Sequence, residues 1–183
     1  SSYPAVSIES VQTQKVRYYA RQLLHLLEEK ERVSKELIEE AKNLPEFDLF
    51  LSVPGIGEIS AALVMGKLGD LSRFSNHKKV NAFVGIDIRR YQSGKYHGQD
   101  HINKRGNPKG RKILYLIIRN MIRQQKAAPN HIVEYYYKLK KQPTPKKDKV
   151  AVVACMNKLI KCMYSMARNH TEYDYSHAVS MDQ

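Results

Sequence analysis

The chain has 183 residues, with 31 Lys and Arg against 18 Asp and Glu, giving a formal net charge of +13. Apolar residues make up 42% and charged residues 27%, which excludes wholesale disorder and supplies a core that needs no disulfide or metal. No apolar run reaches the roughly 18 residues of a membrane span, so no membrane partner is expected, and the polar start is not a signal peptide. The charge is uneven. Residues 1–88 carry 11 basic and 12 acidic side chains, residues 89–126 carry 11 basic and one acidic (Asp100), and residues 127–183 carry nine and five. Coulomb attraction to phosphates fades within about 10 Å at ordinary salt, so a concentrated block marks a binding surface better than scattered charge does.

In chain order, residues 1–10 hold Pro4 and several serines and read as a frayed start. Residues 11–45 read as one long helix, free of Pro and Gly until Pro45. Val16, Tyr19, Leu23, Leu26, Val33, Leu37 and Leu44 follow a heptad track, which favours a coiled coil over a helix packed only on its own domain. A helical domain is expected over 46–175, with a tail at 176–183. Within it come a short apolar piece, Val53-Pro54-Gly55-Ile56-Gly57, and a helix from Ile59 to Leu68. A turn leads to a short helix from Lys78 to Val84. Asp87 to Asp100 lacks helical periodicity and reads as a loop or a pair of extended pieces. Asn107 and Pro108 have the N-cap and N1 chemistry of a helix running to about Lys126. His131 to Lys141 is helical, Gln142 to Lys147 is an exposed basic linker, and Asp148 is expected to cap a last helix through about Asn169. The expected fold is mostly α. Cys155 and Cys162 lie seven apart on one helical segment, a poor geometry for a disulfide, and suggest a reduced, cytoplasmic setting.

Four patterns bear on chemistry. The Pro-Gly-Ile-Gly run within 51–69 reads as a helix-hairpin-helix, with Gly55 and Gly57 allowing a tight turn whose free N–H groups could hold a phosphate; an ordinary packed turn is the plainer alternative, and Glu58 weighs against the anion. On the helix from Pro108, Lys112, Arg119, Arg123 and Lys126 share one face, and Ile113, Leu114, Ile117, Ile118 and Met121 share the other. A solvated face usually mixes signs, and this one has no acid, so a phosphate-backbone contact is favoured. Ser93-Gly94 sits between Arg89, Arg90 and Lys95, which is the set a phosphate-attacking serine needs, although Ser-Gly is more often a plain turn. His97 and His101 lack a third ligand, and no metal site is expected.

The order of a long helix, then Leu51-Ser-Val-Pro-Gly-Ile-Gly, Phe74, Ala82-Phe83-Val84-Gly85-Ile86-Asp87, Ser93-Gly94 and His101-Ile102-Asn103-Lys104-Arg105-Gly106-Asn107 closely resembles the C-terminal half of bridge-RNA-guided insertion-sequence transposases, which are serine recombinases. The resemblance covers roughly residues 10–175. Asn103 stands where the family has a hydroxyl residue, Gly110-Arg111 where it has Leu-Arg, and Ile88 where it often has Pro. The resemblance implies that Ser93 is the nucleophile. It implies contacts to DNA, and to a structured guide RNA, from Arg89, Arg90, Lys95, Lys104, Arg105 and Arg111 beside the helix face already described. It also implies a homodimer through the long helix and a tetramer in the active complex. Magnesium is implied through acids of a RuvC-like domain that precedes the coiled coil in the family, so the chain is expected to be a fragment that binds nucleic acid without cutting it. The rival readings are a non-enzymatic helix-hairpin-helix module for DNA or RNA and a protein-only scaffold built on the coiled coil.

Overall fold

Ser10 starts the first helix: its Oγ accepts a hydrogen bond from the Thr13 amide at 3.2 Å. The helix, α1, runs Val11–Lys42, with Asn43 as its C-cap. It stops two residues before the expected Leu44, because a residue preceding proline is pushed out of the helical region. At 1.5 Å per residue α1 is about 48 Å long. The computed structural model describes residues 10–89, 92–93, 96–97, 101–126 and 128–180, with backbone alone at 89, 92, 93, 96 and 97. The expected frayed start at 1–9 lies outside the described residues.

Only the end of α1 joins a core. Ala41 is buried, and Leu37 and Ile38 pack partly against the domain. Further back Val16, Tyr19, Leu23 and Leu26 are exposed. Arg32 pairs with Glu29 at 2.8 Å and Glu36 at 2.6 Å, and Lys35 with Glu31 at 2.9 Å. These pairs are exposed and screened by solvent, so they support the helix without anchoring it.

The domain begins with α2 (Glu46–Leu51) and α3 (Glu58–Leu68). Gly69, at φ 65°, ends α3, and a single turn of tighter helix at Leu71–Arg73 is capped by Asp70. Helix α4 (His77–Val84) is capped by Asn76 and closed by Gly85 at φ 72°. Then come four two-residue strands: β1 (Ile88–Arg89), β2 (Gln92–Ser93), β3 (Tyr96–His97) and β4 (His101–Ile102). β1 pairs antiparallel with β4, and β2 with β3. Within the segment expected as loop or extended pieces, residues 88–89, 92–93 and 96–97 are strand-paired. The mostly α expectation holds.

Helix α5 (Pro108–Arg123) has the expected N-terminus: Asn107 Oδ1 accepts from the amides of Lys109 at 3.1 Å and Gly110 at 3.0 Å, with Pro108 in the first turn. It ends at Arg123, so Lys126 falls in the turn beyond it, correcting the expected reach. Helix α6 (His131–Lys141) starts at Asn130. Helix α7 (Asp148–Asn169) is the centre of the fold and touches α2, α4, α5 and α6. Val152, Cys155, Met156, Leu159, Ile160 and Met163 are all buried there. α7 is also long and apolar enough to cross a membrane, with mean hydropathy 1.3, but half of that window is buried inside the fold, as befits a core helix. Neither cysteine is in a disulfide, and burial pushes the Cys155 thiol up to about 12.

Two expectations fail near α7. Asp148 is its first residue and not its cap: Lys147 stands at that position without a side-chain bond. The carboxylate is engaged elsewhere, accepting from Arg119 Nη1 at 3.1 Å and from Tyr136 Oη at 2.6 Å. Nor is α7 the last helix, although it ends at the expected Asn169. A further helix, α8 (Tyr175–Ser180), crosses the expected start of the tail at 176. The intervening turn is tied down by the Tyr173 amide donating to Ser52 Oγ at 2.8 Å and by the Tyr173 hydroxyl bonded to His131 Nδ1 at 2.7 Å.

Candidate nucleic-acid and nucleophile site

The ribbon that carries Ser93 rises from a backbone clamp. At Gly85 the chain leaves α4 in the left-handed region, and the returning strand fastens to it. Asn103 N donates to Asp87 O at 3.0 Å, Lys104 N to Gly85 O at 3.0 Å, and Asn107 N to Phe83 O at 2.7 Å. The two backbones approach too closely for side chains. A Cβ on Gly106 would run into Phe83 O and Gly85 N, and one on Gly85 would lie 2.7 Å from Gly106 N. Gly85 therefore serves both an αL turn and a close approach, and Gly106 serves the approach alone.

Side chains complete the clamp. Arg111 Nη1 donates to Val84 O at 2.8 Å across the turn. Asn103 Nδ2 donates to Asp87 Oδ2 at 3.2 Å. The remaining oxygens, Asp87 Oδ1 and Asn103 Oδ1, are buried without a hydrogen-bond partner among the described residues, and Lys104 holds φ 59°. Unsatisfied acceptors and a left-handed non-glycine both cost free energy, of order 1–3 kcal/mol each, so the surrounding packing must over-determine this geometry. From the clamp the ribbon runs through Ile88 opposite Ile102 and Arg89 opposite His101. Beyond lie Gln92 opposite His97 and Ser93 opposite Tyr96, with two residues between Ser93 and Tyr96 in sequence. Ser93 thus sits in the outer strand pair of an antiparallel arm.

The predicted contact residues fall into three sets. Arg90 and Lys95 lie outside the described residues, and the structure describes only the backbone of Arg89 and Ser93. Lys104, Arg105, Lys112, Arg123 and Lys126 are exposed. Arg111 and Arg119 are half-buried and hold internal bonds, Arg111 to Val84 and Arg119 to Asp148. The α5 face is as expected on its apolar side, where Leu114, Ile117, Ile118 and Met121 are buried. Its cationic side is not the continuous stripe of four expected. Lys126 is off the helix, Asp148 neutralises Arg119, and Leu116 is exposed between the cations.

In the turn from α2 to α3, Gly55 takes the positive φ of 91° that the sequence required. Its carbonyl accepts from Asn120 Nδ2 at 3.0 Å, and a Cβ there would meet Met121 Cγ at 2.8 Å, so this glycine serves packing against α5. Gly57, the N-cap of α3, has nothing within 4 Å of where a Cβ would stand.

Sequence reasoning quoted Asp87, Asn103 and Gly106 as part of a motif but gave them no mechanical role. A pairing sixteen residues apart has no periodic signature; Gly106 just before the Asn107 cap was the available hint. Among the described residues no three His, Cys, Asp or Glu side chains converge as a metal site.

Residues 47–133, from α2 into the first turn of α6, match the family described as Transposase IS116/IS110/IS902 family. Two curated relatives are named as transposases of insertion sequence elements. The chain is 26% identical over 149 residues to the transposase for insertion sequence element IS1328 of Yersinia enterocolitica, covering 81% of this chain and 44% of the relative. It is 33% identical over 75 residues to the transposase for insertion sequence element IS1111A of Coxiella burnetii (strain RSA 493 / Nine Mile phase I), covering 41% of this chain and 21% of the relative. The chain thus spans less than half the length of the curated relatives it matches.

Proposed function

We propose that this chain is the serine-bearing part of an IS110-type transposase and acts in DNA transposition. The observation that carries the reading is the coincidence of three things in residues 47–133: the family match, the Ser93-Gly94 motif, and the clamp that fixes the arm's base. In the proposed step, Ser93 Oγ attacks a DNA phosphorus and loses its proton to solvent or to a base supplied outside the described residues. The P–O bond to the leaving deoxyribose oxygen breaks, and that oxygen departs as a hydroxyl. A phosphoserine ester remains, which conserves bond energy for the reverse attack by a new strand's hydroxyl. Arg89, Arg90 and Lys95 flank Ser93 in sequence and would offset charge on the phosphate. Lys104, Arg105, Lys112, Arg123 and Lys126 would hold the backbone on either side, with the open amide edge at Gly57 as an auxiliary contact. Arg111 and Arg119 act chiefly within the fold. A structured RNA that specifies the target belongs to the same proposal, as does a cytoplasmic setting.

The exposed apolar track on α1 supports a homodimer through that helix, and assembly of a tetramer on DNA follows from the resemblance. In the full-length protein Ser93→Ala should keep DNA binding and abolish strand exchange. Full strand exchange by that variant would overturn the assignment and favour a non-enzymatic binding module.

A further inference from the structure

The structure brings a second basic segment against α5. Residues 138–149 contain six lysines and one acid, Asp148. That acid is occupied: it accepts from Arg119 Nη1 at 3.1 Å and from Tyr136 Oη at 2.6 Å, which pins the start of α7 to the cationic side of α5. The connecting segment is folded back as well. Lys146 N donates to Leu139 O at 3.1 Å, and Lys140 Nζ to Lys146 O at 3.1 Å. Lys140 is near enough to Asp148 to help hold its carboxyl below the usual carboxylate range, after the Tyr136 hydrogen bond and the Arg119 charge. Lys146, Lys147 and Lys149 are exposed. Along α5, Lys112 and Arg123 stand about 10 Å and 6 Å to either side of Arg119 by the helical rise. Hence two segments far apart in sequence converge on the Arg119–Asp148 pair.

We propose that Lys140, Lys146, Lys147 and Lys149 extend the α5 face into one composite surface for the phosphate backbone of duplex DNA. The choice of DNA rests on the transposase reading above. The lysines lie beyond residues 47–133 and repair the stripe that Arg119 and Lys126 leave incomplete. Like charges gathered this way repel one another unless a polyanion neutralises them. Ordinary solvated faces avoid this by mixing signs, and here Asp148, the one acid of residues 138–149, is spent internally. Lysine is a flexible point charge without the planar fork that reads a base edge, so the surface holds duplex without selecting sequence.

The test is fluorescence anisotropy of this chain on a short fluorescein-labelled duplex, titrated between about 50 and 200 mM NaCl. K146Q/K147Q/K149Q should weaken binding roughly tenfold and lower the slope of log K against log salt by about 2–3. K146R/K147R/K149R should keep both, which separates charge from folding. The readout is binding and not strand exchange, so a failure of the nucleophile assignment leaves this result untouched. An unchanged slope in the Gln triple, or equal loss in the Arg triple, overturns the proposal. Loss confined to an RNA hairpin tested in parallel would overturn the DNA assignment.

Discussion

The two longest helices use their apolar residues in opposite ways. α7 has 22 residues and turns nine of them into the core, where Leu159 and Met163 are fully buried. α1 has 32 residues and buries only Ala41, leaving Leu23, Leu24 and Leu26 about 60% exposed. Amphipathic periodicity alone does not say which fate a helix has. Position decides it here: α1 is about 48 Å long and joins the core only near its C-terminal end, so most of its stripe stays exposed among the described residues.

Substitutions can break that contrast. Leu159→Ala should leave a cavity at the centre of α7 and cost about 2–5 kcal/mol, seen as a large fall in the thermal midpoint. A midpoint within a degree or two of the unmodified chain would mean that α7 is not the core helix. Gly106→Ala should follow closely, at about 3 kcal/mol, since its methyl group has only the backbone of Phe83 and Gly85 to enter. Its near-ultraviolet circular dichroism should change with the midpoint, because the clamp beneath the arm must open.

Asp148→Asn should cost about 1 kcal/mol, since it keeps the Tyr136 contact and loses the charge opposite Arg119. The pH dependence has a defined sign. The Tyr136 hydrogen bond and the Arg119 charge hold the Asp148 carboxyl below the usual range, so its stabilisation is complete above the ordinary carboxylate pKa and is lost as pH falls through the lowered one. With the side chain 46% exposed, solvent screening keeps this part well under about 1 kcal/mol. Melting the Asn variant and the unmodified chain from neutral to acid pH should bring their midpoints together at the acid end.

On α1 the expected stability effect is smallest. Leu23→Ala with Leu26→Ala should leave monomer stability within about 0.5 kcal/mol. The pair should nonetheless weaken self-association in sedimentation equilibrium. A large loss of stability without any change in association would show that α1 packs on its own domain instead.

Much of the fold was legible because its signals are local. Asn107-Pro108, Gly69, Gly85 and Pro45 punctuate helices by their own backbone chemistry, and the structure places boundaries beside each. What escaped was set by distant partners. Asp148 looks like a cap from its neighbours, yet Arg119, 29 residues away, and Tyr136 claim it. Arg119 looks free on a helical wheel for the same reason. The end of the chain looked like a tail because its anchors, Tyr173 and Tyr175, work through Ser52, His131 and Glu134 on other elements. The Ser93 motif was readable as a motif, whereas the clamp beneath it depends on Gly85 meeting Gly106 across an arm that only the folded chain reveals.

The most direct test of the central claim is mass spectrometry of the full-length protein trapped on a nicked duplex and digested with protease and nuclease. A nucleotide phosphate ester on the peptide containing Ser93, at Ser93 itself, is the expected result. Strand exchange in the same reaction with the ester on another residue, or with none at all, would contradict it.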